Sequence, residues 1–158
     1  MWPPAHNVQT FNIYLKSINP MTTFRTEIKI FTEKRTEIID ITQQVAEACV
    51  RSGIKNGIVL VFPHHTSSAV YISDCDRSLT GDFEKVLSEL VPEGREYAHD
   101  RTDCKKNAAG HMRANLAGHH IIFPLSDGRP DFGPYQTIYY AEFDGRREKE
   151  VVVKIVGE

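Results

Sequence analysis

The sequence predicts a single compact α+β domain, with mixed or antiparallel β-sheets and two to three helices. Three observations carry that prediction. Strand-length apolar runs recur along the chain, helical stretches with one apolar face lie between them, and three further strand-like runs close it. At 158 residues, 41% hydrophobic and 25% charged, the composition is that of a soluble globular domain with a real core.

Residues 1–20 stand apart. They carry Pro3, Pro4 and Pro20, a single charged side chain in Lys16, and no period. They have neither the basic start and apolar centre of a signal peptide nor the arginines of a mitochondrial presequence. They are expected to form an N-terminal extension, flexible or packed on the surface, so that the domain spans 21–158.

From Thr22 to Phe31 apolar Phe24, Ile28 and Ile30 alternate with Arg25, Glu27 and Lys29, the pattern of a half-buried strand. Glu33-Lys34-Arg35 suits a hairpin turn into a second strand over Thr36 to Ile39. Asp40 has the chemistry of a helix N-cap, with Gln43 as its capping-box partner. Ile41, Val45, Ala48 and Cys49 then recur at helical spacing up to Gly53, where a left-handed residue can end the helix. Gly57 to Phe62 is continuously apolar and predicts a central strand buried on both faces. Pro63 ends it.

Strand character resumes from Ser67 to Ser73, and a helix follows from about Ser78 to Leu90, with Asp76 placed to cap it and Pro92 to stop it. The polar stretch Glu93 to Lys106 is long for a loop in a compact domain, and such loops are usually functional or disordered. A short helix is expected from Ala108 to Leu116, closed by Gly118, with Asn107 able to cap it. Strands over His120 to Leu125, Tyr135 to Phe143 and Glu148 to Val156 complete the chain as a meander. Asp144-Gly145 between the last two is a hairpin signal.

Charge and cysteines narrow the function classes. A net charge of -2 gives no global attraction to nucleic acid or to an anionic membrane. No apolar run approaches the roughly 20 residues that cross a bilayer. Cys49, Cys75 and Cys104 are odd in number and lack CxxC spacing, which argues for a reducing, cytoplasmic setting without a disulfide framework. Cys49 falls on the apolar helix face. Cys104, between two histidines, is either a solvent-facing thiol or a metal ligand.

Histidines are the main chemical signal. His65, His99 and His111 each lie among polar or small residues. Three neutral imidazoles with an open fourth position describe a catalytic metal site. The alternative is three histidines that hydrogen-bond loop backbone, since no HExxH-type spacing links them. Lys105, Lys106, Arg113 and Arg129 are either solvated charges or a phosphate-binding set. Gln136, after the Gly133-Pro134 turn, can point an amide into a pocket.

Four segments together carry a resemblance. They are His65-Thr66-Ser67-Ser68, Tyr97-Ala98-His99-Asp100, Asn107-Ala108-Ala109-Gly110-His111-Met112-Arg113-Ala114, and Gly128-Arg129 through Gln136 into Glu142-Phe143-Asp144-Gly145. In order and spacing, over about residues 22–157, the sequence resembles the YjbQ family (UPF0047). It departs where the family has Gly-Thr-Trp-Gln and this chain has Gly133-Pro134-Tyr135-Gln136, and where Ser73-Asp74 replaces Asn-Glu. The resemblance implies a compact α+β subunit in a homotrimer. It implies His65, His99 and His111 as catalytic or metal-binding residues, with Arg113 beside them. Thr66, Asn107, Arg129 and Gln136 would be substrate- or anion-binding groups.

The activity it implies is thiamine phosphate synthesis: hydroxymethylpyrimidine diphosphate joins thiazole phosphate and diphosphate leaves. The partner is then a small phosphorylated metabolite. The cofactor is a divalent ion, either zinc-like at the histidines or magnesium with the diphosphate. Two other readings stand beside it, a metal-dependent hydrolase of a small substrate and a non-enzymatic trimeric metal- or anion-binding protein.

Overall fold

A computed structural model describes residues 20–158. The expected extension lies outside the described residues, apart from Pro20. In chain order the elements are β1 (Thr22–Phe31), β2 (Glu37–Asp40), α1 (Thr42–Ser52), β3 (Gly57–Pro63), β4 (Ser68–Asp74), α2 (Arg77–Leu90), a 3-10 turn (His99–Arg101), α3 (Ala108–Ala117), β5 (Ile121–Ser126), β6 (Arg129–Pro130), β7 (Gln136–Glu142) and β8 (Glu148–Gly157). The α+β class holds, with three helices and antiparallel pairing throughout.

The strands form two sheets rather than a meander. One runs β1-β8-β3-β5-β6 and the other β2-β7-β4. Side chains of alternate residues fill the space between them, with Val59 and Val61, Val151, Val153 and Ile155, and Phe123 and Leu125 on one side. Val70, Ile138 and Tyr140 face them from the smaller sheet, and α1 adds Ile41, Val45, Ala48 and Cys49. The opposite parity of the small sheet, Ala69 and Ala141, packs with Leu87 of α2 and Ala114 of α3.

Neither expected hairpin forms. β1 pairs with β8 in one sheet while β2 pairs with β7 in the other, so both turns, 32–36 and 143–147, carry the chain from sheet to sheet. The two corners pack on each other: Gly145 N–H donates to the Arg35 carbonyl at 2.9 Å, and Arg146 N–H donates to Thr32 Oγ1 at 3.2 Å. A Cβ on Gly145 would lie 2.0 Å from Thr32 Oγ1, so glycine here serves close approach rather than a hairpin turn.

Two local expectations also change. Asp40 Oδ1 accepts from Thr42 N–H at 2.8 Å, but Ile41 is the capping residue and Gln43 bonds Glu47 at 3.0 Å instead of closing a capping box. β3 is buried on one face only. Its outward side leaves Ile58 52% and Phe62 38% exposed beside Ile122 at 58%, an apolar strip on the outer face of the large sheet.

Candidate functional site

α3 is the element that builds the site. Its inner face is made of small residues, Ala108, Ala109, Gly110 and Ala114, all buried. That lets the helix approach the end of β7 closely. A Cβ on Gly110 would stand 2.9 Å from the Phe143 carbonyl oxygen. Asn107 does not cap this helix with its side chain. Its amide donates to Asp144 Oδ2 at 2.9 Å, and Asp100 Oδ1 instead accepts the Ala108 N–H at 3.0 Å. The carboxylate answers a free amide of the helix start and its positive dipole end. Because Asp100 lies in the 3-10 turn, the same bond docks His99 against α3. The His99 and His111 rings meet edge to face, with centroids 5.2 Å apart.

The protonation of His111 follows from its partner. Its Nδ1 lies 3.1 Å from the Thr66 carbonyl, which can only accept, so Nδ1 carries the proton and Nε2 keeps a free lone pair. Asp103 Oδ2 is the acid oxygen nearest to His99 Nε2, at 3.8 Å, and it is buried without a hydrogen-bond partner. The two rings, with Thr66, Tyr97, Met112 and Asn115, line an open cleft of about 590 Å³.

His65 is placed differently. Its Nε2 accepts the Glu150 backbone N–H at 3.0 Å. A backbone amide can only donate, so this lone pair is committed and the proton sits on Nδ1. Burial, and then the neighbouring Lys149 ammonium, hold the His65 imidazole below its ordinary range, with Glu142 pulling the other way. The ring lines an adjoining hollow with Phe62 and His64, which meets the cleft at Thr66 and His119. Beneath it lies a sealed ionic cluster. Lys149 Nζ donates to Glu142 Oε1 at 3.0 Å and to Ser67 Oγ at 3.1 Å, and Tyr140 Oη donates to Glu142 Oε2. Glu142 Oε1 also takes the Phe143 and Asp144 amides at 3.1 and 2.9 Å.

The structure therefore gathers His99, His111 and Thr66, with His65 next door but turned to the β8 backbone. It does not gather His65, His99 and His111 around one point. Among the described residues, the only group of three or more potential metal ligands with donor atoms within 4.8 Å of one another is Glu27, His64 and Glu150, on the outer sheet face. With one of three lone pairs already engaged, the three-histidine set does not fit an ion within one chain.

Arg113 is 5% exposed and bonds the Val91 carbonyl from Nε at 3.0 Å and Glu93 from Nη1 at 3.4 Å, so it fastens the end of α2 instead of facing the cleft. Arg129 lies on β6 in a groove with α1. Gln136 opens β7 opposite Asp74, at the far end of the strand from Glu142, and accepts the Gly133 N–H at 2.8 Å. Asn107 is buried against Asp144.

Sequence reasoning missed Asp100 as the capping group, Asp103, and the Glu142–Lys149 cluster. The last was within reach. Lys149 shares strand parity with inward-facing Val151, Val153 and Ile155, and Glu142 shares it with Tyr140. Of the thiols, Cys49 is buried, with burial pushing it up to about 11, and Cys75 and Cys104 are free and exposed.

The model of the family described as UPF0047 protein YjbQ-like matches residues 26–158. The chain belongs to this family. A UPF0047 protein of Archaeoglobus fulgidus is 43% identical over 128 residues, covering 81% of this chain and 98% of the relative. The Bacillus subtilis UPF0047 protein YugU is 33% identical, covering 82% and 97%. Among solved structures, a Sulfolobus solfataricus protein described as YbjQ-like and of unknown function superposes with a TM-score of 0.83 at 34% identity, over 88% of this chain and all of that one. An Aeropyrum pernix protein gives 0.80 at 30% identity. Family membership thus fixes the fold, and any reaction has to be argued from the cleft. No helix among the described residues is long and apolar enough to cross a membrane.

Proposed function

We propose that the protein is a cytoplasmic enzyme acting on a small phosphorylated metabolite in the His99–His111 cleft, and that the first reaction to test is the transferase step of thiamine phosphate synthesis. One observation carries this: His111 presents a free Nε2 lone pair to a cleft, with its other nitrogen fixed by the Thr66 carbonyl and a second imidazole at its edge. Such a group takes or gives a proton at a defined atom, which typically contributes about 10²–10⁴-fold to rate. In the transferase step the thiazole nitrogen bonds the pyrimidine methylene carbon while that carbon's bond to diphosphate breaks. The nucleophile needs no base. The cleft's work is to hold the reactants, and His111 Nε2, after taking a proton from solvent, gives that proton to the departing diphosphate. A magnesium ion carried in by the diphosphate would neutralise the charge that develops on the leaving group.

The homotrimer is part of the same reading. The exposed strip of Ile58, Phe62 and Ile122 is the surface we assign to contact between copies, because a central strand with an uncovered apolar face gains from a partner.

The test is turnover of hydroxymethylpyrimidine diphosphate and thiazole phosphate with magnesium, followed by a panel of phosphorylated metabolites, on wild type and His111→Ala. The expected result is a rate that the variant loses while keeping its circular dichroism spectrum. Turnover retained in His111→Ala would overturn the reading.

A further inference from the structure

A second cavity of about 400 Å³ is lined mostly by the 93–106 segment, and Tyr97 lines both it and the histidine cleft. Its cationic lining comes from four side chains: Arg35 from the β1–β2 corner, with Arg95, Arg101 and Lys106 from the polar segment. Three acids share the wall, and each has other work. Glu93 pairs with Arg113 at 3.4 Å, Glu96 with Arg101 at 3.6 Å, and Asp100 caps α3. The Glu96–Arg101 pair is 92% and 73% exposed, so it holds Arg101 only loosely.

Arg35 is the fixed member. Its Nη2 donates to the Lys106 carbonyl at 2.9 Å, across a residue held at a left-handed φ of 48°. Its Nε is buried with no hydrogen-bond partner, the nearest acid oxygen being Asp144 Oδ1 at 3.8 Å. Guanidinium groups recognise phosphate oxygens in charge-assisted bonds, and with Nη2 engaged and Nε buried beside Asp144 the group that Arg35 can turn to the cavity is Nη1. We propose that this cavity is an oxyanion subsite holding the phosphate or diphosphate end of the substrate whose reacting end lies in the His99–His111 cleft.

The proposal rests on the reading of that cleft as the reaction site and places the phosphate end of its substrate. Catalysis is then divided across Tyr97: cations anchor the phosphate on one side, and the histidines work on the other. The sequence offered Lys105, Lys106, Arg113 and Arg129 as either solvated charges or a phosphate-binding set; of these Lys106 lines this cavity, beside Arg35, Arg95 and Arg101.

The test is calorimetric titration of the full chain with inorganic pyrophosphate, without substrate and at two salt concentrations. Wild type, Arg95→Gln/Arg101→Gln and His111→Ala are compared. Both arginines are on the surface, so the double variant should fold, which circular dichroism checks. We expect binding in wild type that weakens with salt, a loss of about tenfold or more in the double arginine variant, and near wild-type binding in His111→Ala. No pyrophosphate binding by wild type, or equal binding by the double variant, would overturn the subsite. Because this readout needs no turnover, an inactive His111→Ala that still binds pyrophosphate supports both conclusions. An active one overturns the reading of the cleft, and with it the placing of the reacting end there, while the pyrophosphate titration still decides the oxyanion subsite.

Discussion

His65 and His111 stand on either side of the Thr66 peptide, and the backbone commits them in opposite ways. A main-chain N–H from Glu150 occupies the lone pair of His65, whereas a main-chain carbonyl, that of Thr66, accepts a hydrogen bond from Nδ1–H of His111. Both rings therefore carry hydrogen on Nδ1. They differ in what is left over, an N–H on His65 and a basic nitrogen on His111. Two histidines that look equivalent in sequence are thus a fixed donor beside a buried ionic cluster and a ring with an uncommitted nitrogen lining an open cleft.

The largest expected effect breaks the His65 side. Lys149→Met leaves Glu142 buried with its charge unpaired and should cost about 3–5 kcal/mol of unfolding free energy by urea denaturation. A matched loss of activity without loss of stability would show that Lys149 belongs to the cleft instead. On the other side, His111→Ala should lower turnover by about 10²–10⁴-fold at unchanged unfolding midpoint.

The bond that joins His99 to α3 gives an intermediate case. Asp100→Ala should cost about 0.5–2 kcal/mol, as lost helix caps do, and should reduce turnover because His99 is no longer held at the edge of His111. Wild-type kinetics in that variant would separate His99 from the reaction. Ile58→Asp should shift the assembly to smaller species in light scattering, and a monomeric wild type would remove the apolar strip from the account.

The smallest effect is in pH dependence. The folded His65 imidazole titrates below its ordinary 6.5. As pH falls from there, the unfolded chain binds the proton first, so stability declines until the folded ring titrates as well. Asp144 is pulled up by burial but brought below its ordinary range by bonds from Asn107 and Arg147, so its contribution is lost only in stronger acid. A His65→Asn variant should flatten the upper part of the curve and leave the acid limb.

Much of this was legible in the chain. Strand and helix periods placed the elements other than β6 and the 3-10 turn to within a residue or two, and Gly53 and Asp76 act as the caps their chemistry suggests. What a period cannot carry is pairing. Asp144-Gly145 reads as a hairpin, yet Gly145 is small because the Thr32 corner presses on it. The cleft was legible in part. His99 and His111 meet, and His65 lies beside them, but the loss of its lone pair to Glu150 is a tertiary hydrogen bond that no local pattern announces. Arg113 looked available because it is charged, and burial against Val91 removes it.

The most direct test of the central claim is a long-range ¹H–¹⁵N spectrum of histidine-labelled protein near pH 7.5. We expect His65 and His111 both to carry hydrogen on Nδ1, with only the Nε2 of His65 coupled across a hydrogen bond to the Glu150 amide. His65 protonated on Nε2, or the coupling found on His111 instead, would contradict it.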